Sequence, residues 1–295
     1  MSSRVLVAGS ANLDFVVHAP RIPAPGETVL GGAFQTHPGG KGANQALACA
    51  RMGAPTAMLL ALGDDAYAAP LEASLREAGI ELHIVRVPDA MTGTAFICVS
   101  DSAENAITVA PGANSRLGAE HLPALQGFSH LLLQLETPLP AVQAMAERAR
   151  RAGLTVMLNA APARPLPAEL LHSIDWLVVN EEELAQVSGI AHDVDAALAA
   201  LPVANAVVTL GSRGARSRLG TTFRDHAAYR IQAVDTTAAG DTFCGALGAG
   251  LATGLAPEQA LAQAGAAAAL ACTREGAQTS IPHRPEVRAL LETHG

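Results

Sequence analysis

The feature that most constrains this chain is a repeated alternation of short, near-continuous aliphatic runs with longer helical stretches. Residues 5–8, 58–61, 130–135, 155–158, 176–179 and 206–210 read as strands rich in Val and Leu. Residues 43–52, 66–78, 139–152, 181–187 and 194–201 read as the helices between them. Strands that are apolar on both faces and separated by helices build a parallel sheet covered on both sides. From Asp241 onward the pattern is mostly helical, with helices expected over 243–253, 258–272 and 285–291.

Two stretches do not fit this alternation. Residues 14–34 are short extended pieces broken by Pro and Gly, and residues 94–99 with 106–110 read as a hairpin around 101–104. Both are strand-like and distant in sequence, so they are expected to pair into a small separate sheet. At roughly 150 residues per domain, the length of 295 suggests about two units. The pattern instead favours one large α/β domain with a small β lid.

Composition excludes several function classes. Nineteen basic against 27 acidic residues leave a formal charge of −8, which argues against a protein that neutralises nucleic-acid phosphates. Aromatic residues are only 3%, too few for a base-stacking platform. The longest small and apolar stretch, 243–256, is Gly-rich and shorter than the ~20 residues a membrane span needs. Met1 to Arg4 run straight into Val5, without the charged and then apolar segments of an export signal. Cys49, Cys98, Cys244 and Cys272 are widely spaced in apolar surroundings, the pattern of buried, reduced thiols in a cytoplasmic protein.

Chemistry concentrates where strands end. Gly9-Ser10-Ala11-Asn12-Leu13-Asp14 follows the first strand but lacks the G-x-G-x-x-G spacing of a dinucleotide fingerprint, which disfavours a nicotinamide-dependent dehydrogenase. Asn12 and Asp14 suit forked hydrogen bonds to adjacent sugar hydroxyls, and equally an Asx-turn pair. Pro38-Gly39-Gly40-Lys41-Gly42-Ala43-Asn44 carries the only lysine of the chain among glycines that admit a ligand close to the backbone, ahead of a helix N-terminus. A tight turn with Asn44 and Gln45 as polar surface is the competing account. Glu136 ends one strand and Asn159 and Asn180 end the next two, at the carboxyl edge where open α/β sheets bind ligands. The acidic residues 181–183 also suit an ordinary helix first turn. Residues 209–214 supply a glycine turn, fit for a nucleotide or a simple hairpin. In Asp235-Thr236-Thr237-Ala238-Ala239-Gly240-Asp241, small residues lead into a helix. The N–H groups of Ala239, Gly240 and Asp241 are expected to point outward as an anion hole, with Asp241 placed to take a proton from an attacking hydroxyl.

The segments 235–241 and 38–44 together closely resemble the two signatures of the PfkB, or ribokinase-like, sugar kinases, and the likeness runs from Gly9 to Pro282. Thr92 to Ala95, Glu104-Asn105 and Gly112 to Asn114 resemble the family's lid hairpin. The resemblance implies a three-layer α/β/α fold over 1–295, with a mostly parallel central sheet and a small β-sheet lid from about 14–36 and 91–111. It implies an ATP-dependent kinase phosphorylating D-ribose at the 5-hydroxyl. The alternatives are a family kinase acting on deoxyribose, a nucleoside or another furanose, or a sugar sensor without catalysis. The sugar would be held by Asn12, Asp14, Gly40, Lys41, Gly42, Ala43, Asn44 and Glu136, with Asp241 as base and the anion hole at Ala238, Ala239, Gly240 and Asp241. ATP would be bordered by Asn180, Thr209, Leu210, Gly211, Ser212, Arg213, Gly214, Gly240 and Asp241. Asn180 and Glu183 match the motif that organises Mg²⁺, largely through water. Asp235, Thr237, Ala271, Arg274, Gly276 and Ser280 match the surroundings of a monovalent cation, typically K⁺, although Arg274 is also able to pair with Asp235 directly. A homodimer joined through the lid is expected, with no nucleic acid and no membrane. Where relatives often place His or Asn beside the adenine, this chain has Gln263-Ala264-Gly265.

Overall fold

In chain order the strands are β1 (Arg4–Ala8), β2 (Asn12–Ala19), β3 (Phe34–Gly39), β4 (Thr56–Gly63), β5 (Glu81–Val87), β6 (Gly93–Ser100), β7 (Asn105–Ala110), β8 (Phe128–Leu133), β9 (Thr155–Asn159), β10 (Trp176–Asn180), β11 (Asn205–Thr209), β12 (Ala215–Leu219) and β13 (Thr222–His226). The helices are α1 (Lys41–Arg51), α2 (Ala68–Glu77), α3 (Leu139–Arg151), α4 (Ala168–Leu171), α5 (Glu181–Ser188), α6 (Val194–Ala200), α7 (Ala239–Ala252), α8 (Pro257–Ala271) and α9 (Arg284–His294). This computed structural model describes residues 4–102 and 104–294. Met1 to Ser3, Ala103 and Gly295 lie outside the described residues.

Nine strands form one sheet in the order β13-β12-β11-β10-β9-β8-β1-β4-β5. The pairs from β11 to β5 are all parallel, whereas β12 and β13 add an antiparallel hairpin at one edge. β5, β12 and β13 lie outside the aliphatic runs expected as strands. All three contain charged residues and only partly buried positions, the composition of strands near a sheet edge. From β1 the chain goes first to β4 and β5 on one side, then to β8 through β11 on the other. The crevice beyond the ends of β1 and β8 is therefore a topological switch point, where open α/β sheets bind ligands.

Alternate residues of each strand feed two cores. Leu6, Leu59, Leu131, Leu133, Val156, Leu177 and Val208 face one side, with Val142, Met145, Leu170, Leu184 and Leu198 from α3 to α6. Val5, Val7, Met58, Leu132, Met157, Val178 and Val207 face the other, with apolar residues of α1, α2, α7, α8 and α9. The result is three layers. Small residues on α7 set how near α1 comes: a Cβ on Gly245 would lie 2.4 Å from the Gln45 carbonyl and 2.5 Å from Ala48 Cβ. That close approach brings the first turn of α1 to the first turn of α7.

The remaining strands form a separate sheet in the order β3-β2-β6-β7, with β2 and β6 parallel and both outer pairs antiparallel. The first piece, β2 and β3, runs from Asn12 to Gly39, somewhat beyond the expected 14–36, whereas β6 and β7 lie within 91–111. Phe15 stacks on Phe34 and Phe96 on one face of this sheet, and Phe34, Phe96, Ile107 and Val109 remain exposed. Among the described residues no helix is long and apolar enough to cross a membrane. The four cysteines are free; Cys49 and Cys244 are buried, but Cys98 and Cys272 are only partly so, which corrects the expectation of four buried thiols.

Candidate active site

The crevice is built from its floor upward. Ser10 follows β1 and Glu136 follows β8, and the Ser10 hydroxyl donates to Glu136 Oε2 at 2.6 Å. The N-terminus of α1 docks on this pair. Its Lys41 N–H donates to Glu136 Oε2 at 3.2 Å, Gly42 N–H to Ser10 Oγ at 3.3 Å, and Ala43 N–H to the Ser10 carbonyl at 2.9 Å. Asn44 N–H returns to the Gly40 carbonyl. All four first-turn amides are thus engaged within the protein. The amides of Gly42 and Ala43 hold α1 against β1. Ser10 went unread because a serine in a glycine loop carries no specific signal.

Asp241, in the first turn of α7, lies across from this helix end. Its Oδ2 accepts from Asn44 Nδ2 at 2.9 Å and its Oδ1 from Gln45 Nε2 at 3.1 Å. Neither Asn44 nor Gln45 is surface: both are buried. The helix is entered through Ala238, whose φ of 59° makes it the only non-glycine with positive φ among the described residues. Such a conformation costs an alanine roughly 1–2 kcal/mol. Ala239 N–H bonds back to the Thr236 carbonyl at 3.2 Å. The N–H groups of Gly240 and Asp241 have no acceptor among the described residues. Two amides of the expected anion hole are thus open, and the Ala239 N–H is bonded to Thr236.

Asn12 and Asp14 enter from β2, whose first residues share the crevice with Glu136. Asn114 fixes Asn12: its Nδ2 donates to Asn12 Oδ1 at 2.8 Å, while its Oδ1 accepts from Ala11 N–H at 3.1 Å. Asp14 is buried, and desolvation, followed by the nearby Glu136 and Asp241 carboxylates, pushes its pKa up to about 7. Desolvation works against the Lys41 ammonium. The Asp241, Glu136 and Glu183 carboxylates around it outweigh that and keep its pKa above the usual lysine value. One lysine thus serves three acids.

On the other side of Asp241 opens a cavity of about 520 Å³, lined by Lys41, Asn180, Glu183, Thr209, Leu210, Gly211, Ala238, Gly240 and Asp241 among others. Asn180 and Glu183 cap α5 reciprocally: Asn180 N–H donates to Glu183 Oε2 at 2.7 Å, and Glu183 N–H to Asn180 Oδ1 at 2.8 Å. Burial raises the Glu183 pKa, opposed by that amide and by Lys41. Beyond Gly211 the loop makes one short helical turn, Gly211–Arg213, before β12. Arg213 pairs with Glu181, and Gly214 closes the β11–β12 hairpin where a Cβ would meet the His226 carbonyl at 2.0 Å. Among the described residues no cluster of three or more His, Cys, Asp or Glu is fit to hold a metal ion by side chains alone.

Asp235 lies before the α7 turn and is tied to two amides, Thr237 N–H and Gly276 N–H, each at 2.8 Å. Arg274 does not pair with it: its guanidinium is bound to Glu286 of α9. Ser280 is buried with its hydroxyl on the Ala277 carbonyl. The carboxylate therefore keeps its acceptor capacity with no basic side chain bound to it.

Comparison with known proteins agrees with this geometry. Residues 2–284 match the profile of the pfkB family carbohydrate kinases. A ribokinase from Haemophilus influenzae is 40% identical over a 305-residue alignment covering 99% of each chain. Among solved structures, a ribokinase from Thermotoga maritima superimposes with a TM-score of 0.91 at 35% identity, covering 98% of this chain and 99% of that one. A ribokinase from Arabidopsis thaliana, complexed with ribose and ATP, gives 0.90 at 33% identity over 99% of each chain.

Proposed function

The chain belongs to the pfkB family of carbohydrate kinases, and from that premise we propose that it is an ATP-dependent ribokinase converting D-ribose to ribose 5-phosphate. The observation that carries this reading is the position of Asp241. Its carboxylate is held by two amide side chains beside the open Gly240 and Asp241 N–H groups, between a polar crevice and a larger cavity. Ribose fits the crevice, where Asn12, Asp14, Lys41 and Glu136 present acceptors and a donor to its hydroxyls. ATP fits the cavity, bordered by Asn180, Thr209, Leu210 and Gly211.

In the reaction Asp241 takes the proton of the 5-hydroxyl as that oxygen attacks the γ-phosphorus. The bond from phosphorus to the bridging oxygen breaks, and ADP leaves with the electron pair. Phosphoryl transfer needs alignment and neutralisation of spreading charge more than covalent chemistry. The open amides of α7 and the Lys41 ammonium supply both. Glu183 and Asn180 fit Mg²⁺ held through water, since Glu183 Oε2 is spent on the cap while Oε1 takes no hydrogen bond among the described residues. Bound there with the phosphates, Mg²⁺ supplies further charge neutralisation. Asp235, with carbonyls from the 271–280 loop, is a hard-oxygen donor set suited to K⁺, and Arg274 joins that set by its backbone alone.

The β2, β3, β6 and β7 sheet acts as a lid that keeps water from competing as acceptor. Its exposed apolar residues are covered by the same sheet of a second copy, giving a homodimer. The free cysteines suit a cytoplasmic protein. A coupled ADP-release screen over ribose, deoxyribose, other pentoses, fructose and nucleosides tests the substrate. Ribose is expected to give the highest kcat/KM; another acceptor exceeding it by about tenfold would reassign the sugar.

A further inference from the structure

Behind the Gln45 contact to Asp241 lies a chain of buried amides in the crevice floor, Gln134 and Asn159 being bonded to Gln45. Gln45 Nε2 donates to Asp241 Oδ1 and to Asn159 Oδ1, each at 3.1 Å, and Gln45 Oε1 accepts from Gln134 Nε2 at 2.7 Å. Asn159 Nδ2 in turn donates to the Val178 carbonyl at 3.2 Å. Gln45 comes from α1, Gln134 from the end of β8, Asn159 from the end of β9 and Asp241 from α7.

We infer that Gln45 is a positioning residue for the reacting carboxylate, its amide locked in one orientation by Gln134 and Asn159 so that an N–H always faces Asp241.

The lock follows from donor and acceptor counts. A primary amide has two donors at one end and an acceptor at the other. Turned over, Gln45 would set its carbonyl against the oxygens of Asp241 and Asn159, and its NH₂ against the NH₂ of Gln134. The Asp241 and Asn159 flank rejects the flipped form, because the carboxylate has no donor and Asn159 Nδ2 is committed to the Val178 carbonyl; Gln134 completes the orientation from the other side. Gln134 has its place because residue 9 is glycine: a Cβ there would lie 1.9 Å from Gln134 Oε1. With Asn44 on the other oxygen at 2.9 Å, both oxygens of Asp241 are restrained and the carboxylate plane is set. Gln45 is buried and does not line the large cavity, so it acts through Asp241. Freeing one oxygen lets the carboxylate rotate off the line of proton transfer, which lowers kcat without removing a sugar contact.

This inference rests on Asp241 being the base, and the experiment separates the two. Gln45→Met, close in size and without hydrogen bonds, is made in the wild-type and Asp241→Asn backgrounds, with kcat measured for each and ribose affinity by calorimetry. Asp241→Asn alone is expected to lower kcat about 10²- to 10⁴-fold. Gln45→Met is expected to lower it about 10-fold, with ribose Kd changed less than about twofold. In the Asp241→Asn background Gln45→Met should change kcat less than about twofold, because the group it serves is gone. Gln134→Leu is a second variant that removes a buried Oε1 lacking a partner, so it should fold; about a threefold fall in kcat with unchanged ribose Kd is expected. An unchanged kcat in Gln45→Met, an equal fall in both backgrounds, or a loss confined to ribose affinity overturns the positioning role. An Asp241→Asn enzyme that keeps half its kcat overturns the base assignment itself, whatever Gln45 does.

Discussion

Replacing Asp14 by asparagine should make the protein more stable at high pH and a poorer binder of ribose. The folded state raises the Asp14 pKa from 3.8 to about 7, chiefly by burial and then through Glu136 and Asp241. At 1.36 kcal/mol per pKa unit, a displacement of about three units corresponds to about 4 kcal/mol. The sign follows from proton uptake. The folded protein keeps this proton to higher pH than the unfolded chain, so stability falls as pH rises from about 4 to about 7. Below that window both states are protonated; above it the full cost of a buried, ionised carboxylate is present. Asparagine carries no charge at any pH, so the advantage of Asp14→Asn over wild type should grow by about 2–3 kcal/mol between pH 5 and pH 8. Urea unfolding of both proteins at the two pH values measures it. With a slope near 2 kcal/mol per molar, the difference in midpoints should widen by about 1 M. Ribose affinity should fall in the same variant by about 1.5–3 kcal/mol, the worth of a hydrogen bond to a charged group. A midpoint difference that does not change with pH would refute the argument, since only the ionisation of Asp14 gives it a pH dependence.

Two further outcomes test the ion and the assembly. With ionic strength held constant, replacing tetramethylammonium by potassium should raise kcat about fivefold or more, because Arg274 is committed to Glu286 and leaves Asp235 without a cation; a flat response would remove the cation site. Light scattering at micromolar concentration should give twice the mass of the chain, and Phe96→Glu, which charges a residue 54% exposed on the small sheet, should shift it to the monomer. A strict monomer in the unmodified protein would rule out the lid dimer.

What the amino-acid order determines here is whatever depends on near neighbours. The six aliphatic runs are strands of the large sheet because apolar β-branched residues between helices leave a buried parallel strand as the economical solution. Asp241 is legible as a helix-first-turn carboxylate because the small residues before it and the helix after it are adjacent in the chain. The hairpin at 94–110 and the turn entering α1 are legible for the same reason. The tertiary structure alone decided how polar groups are paired across the chain. Gln45 looks like a surface residue in sequence, yet it bonds to residues 89, 114 and 196 positions away. The amides of Gly42 and Ala43 are tied to Ser10, more than 30 positions earlier in the chain. Asp235 and Arg274 look like partners, yet Glu286 takes the arginine. Hydrophobic periodicity repeats and is averaged over many residues, so it survives in a single sequence. A hydrogen bond between two side chains is one event with a strict geometry, and several acceptors compete for each donor. Which one wins is set by how closely helices pack, here by Gly245 letting α1 approach α7, and that distance exists only once the layers are assembled.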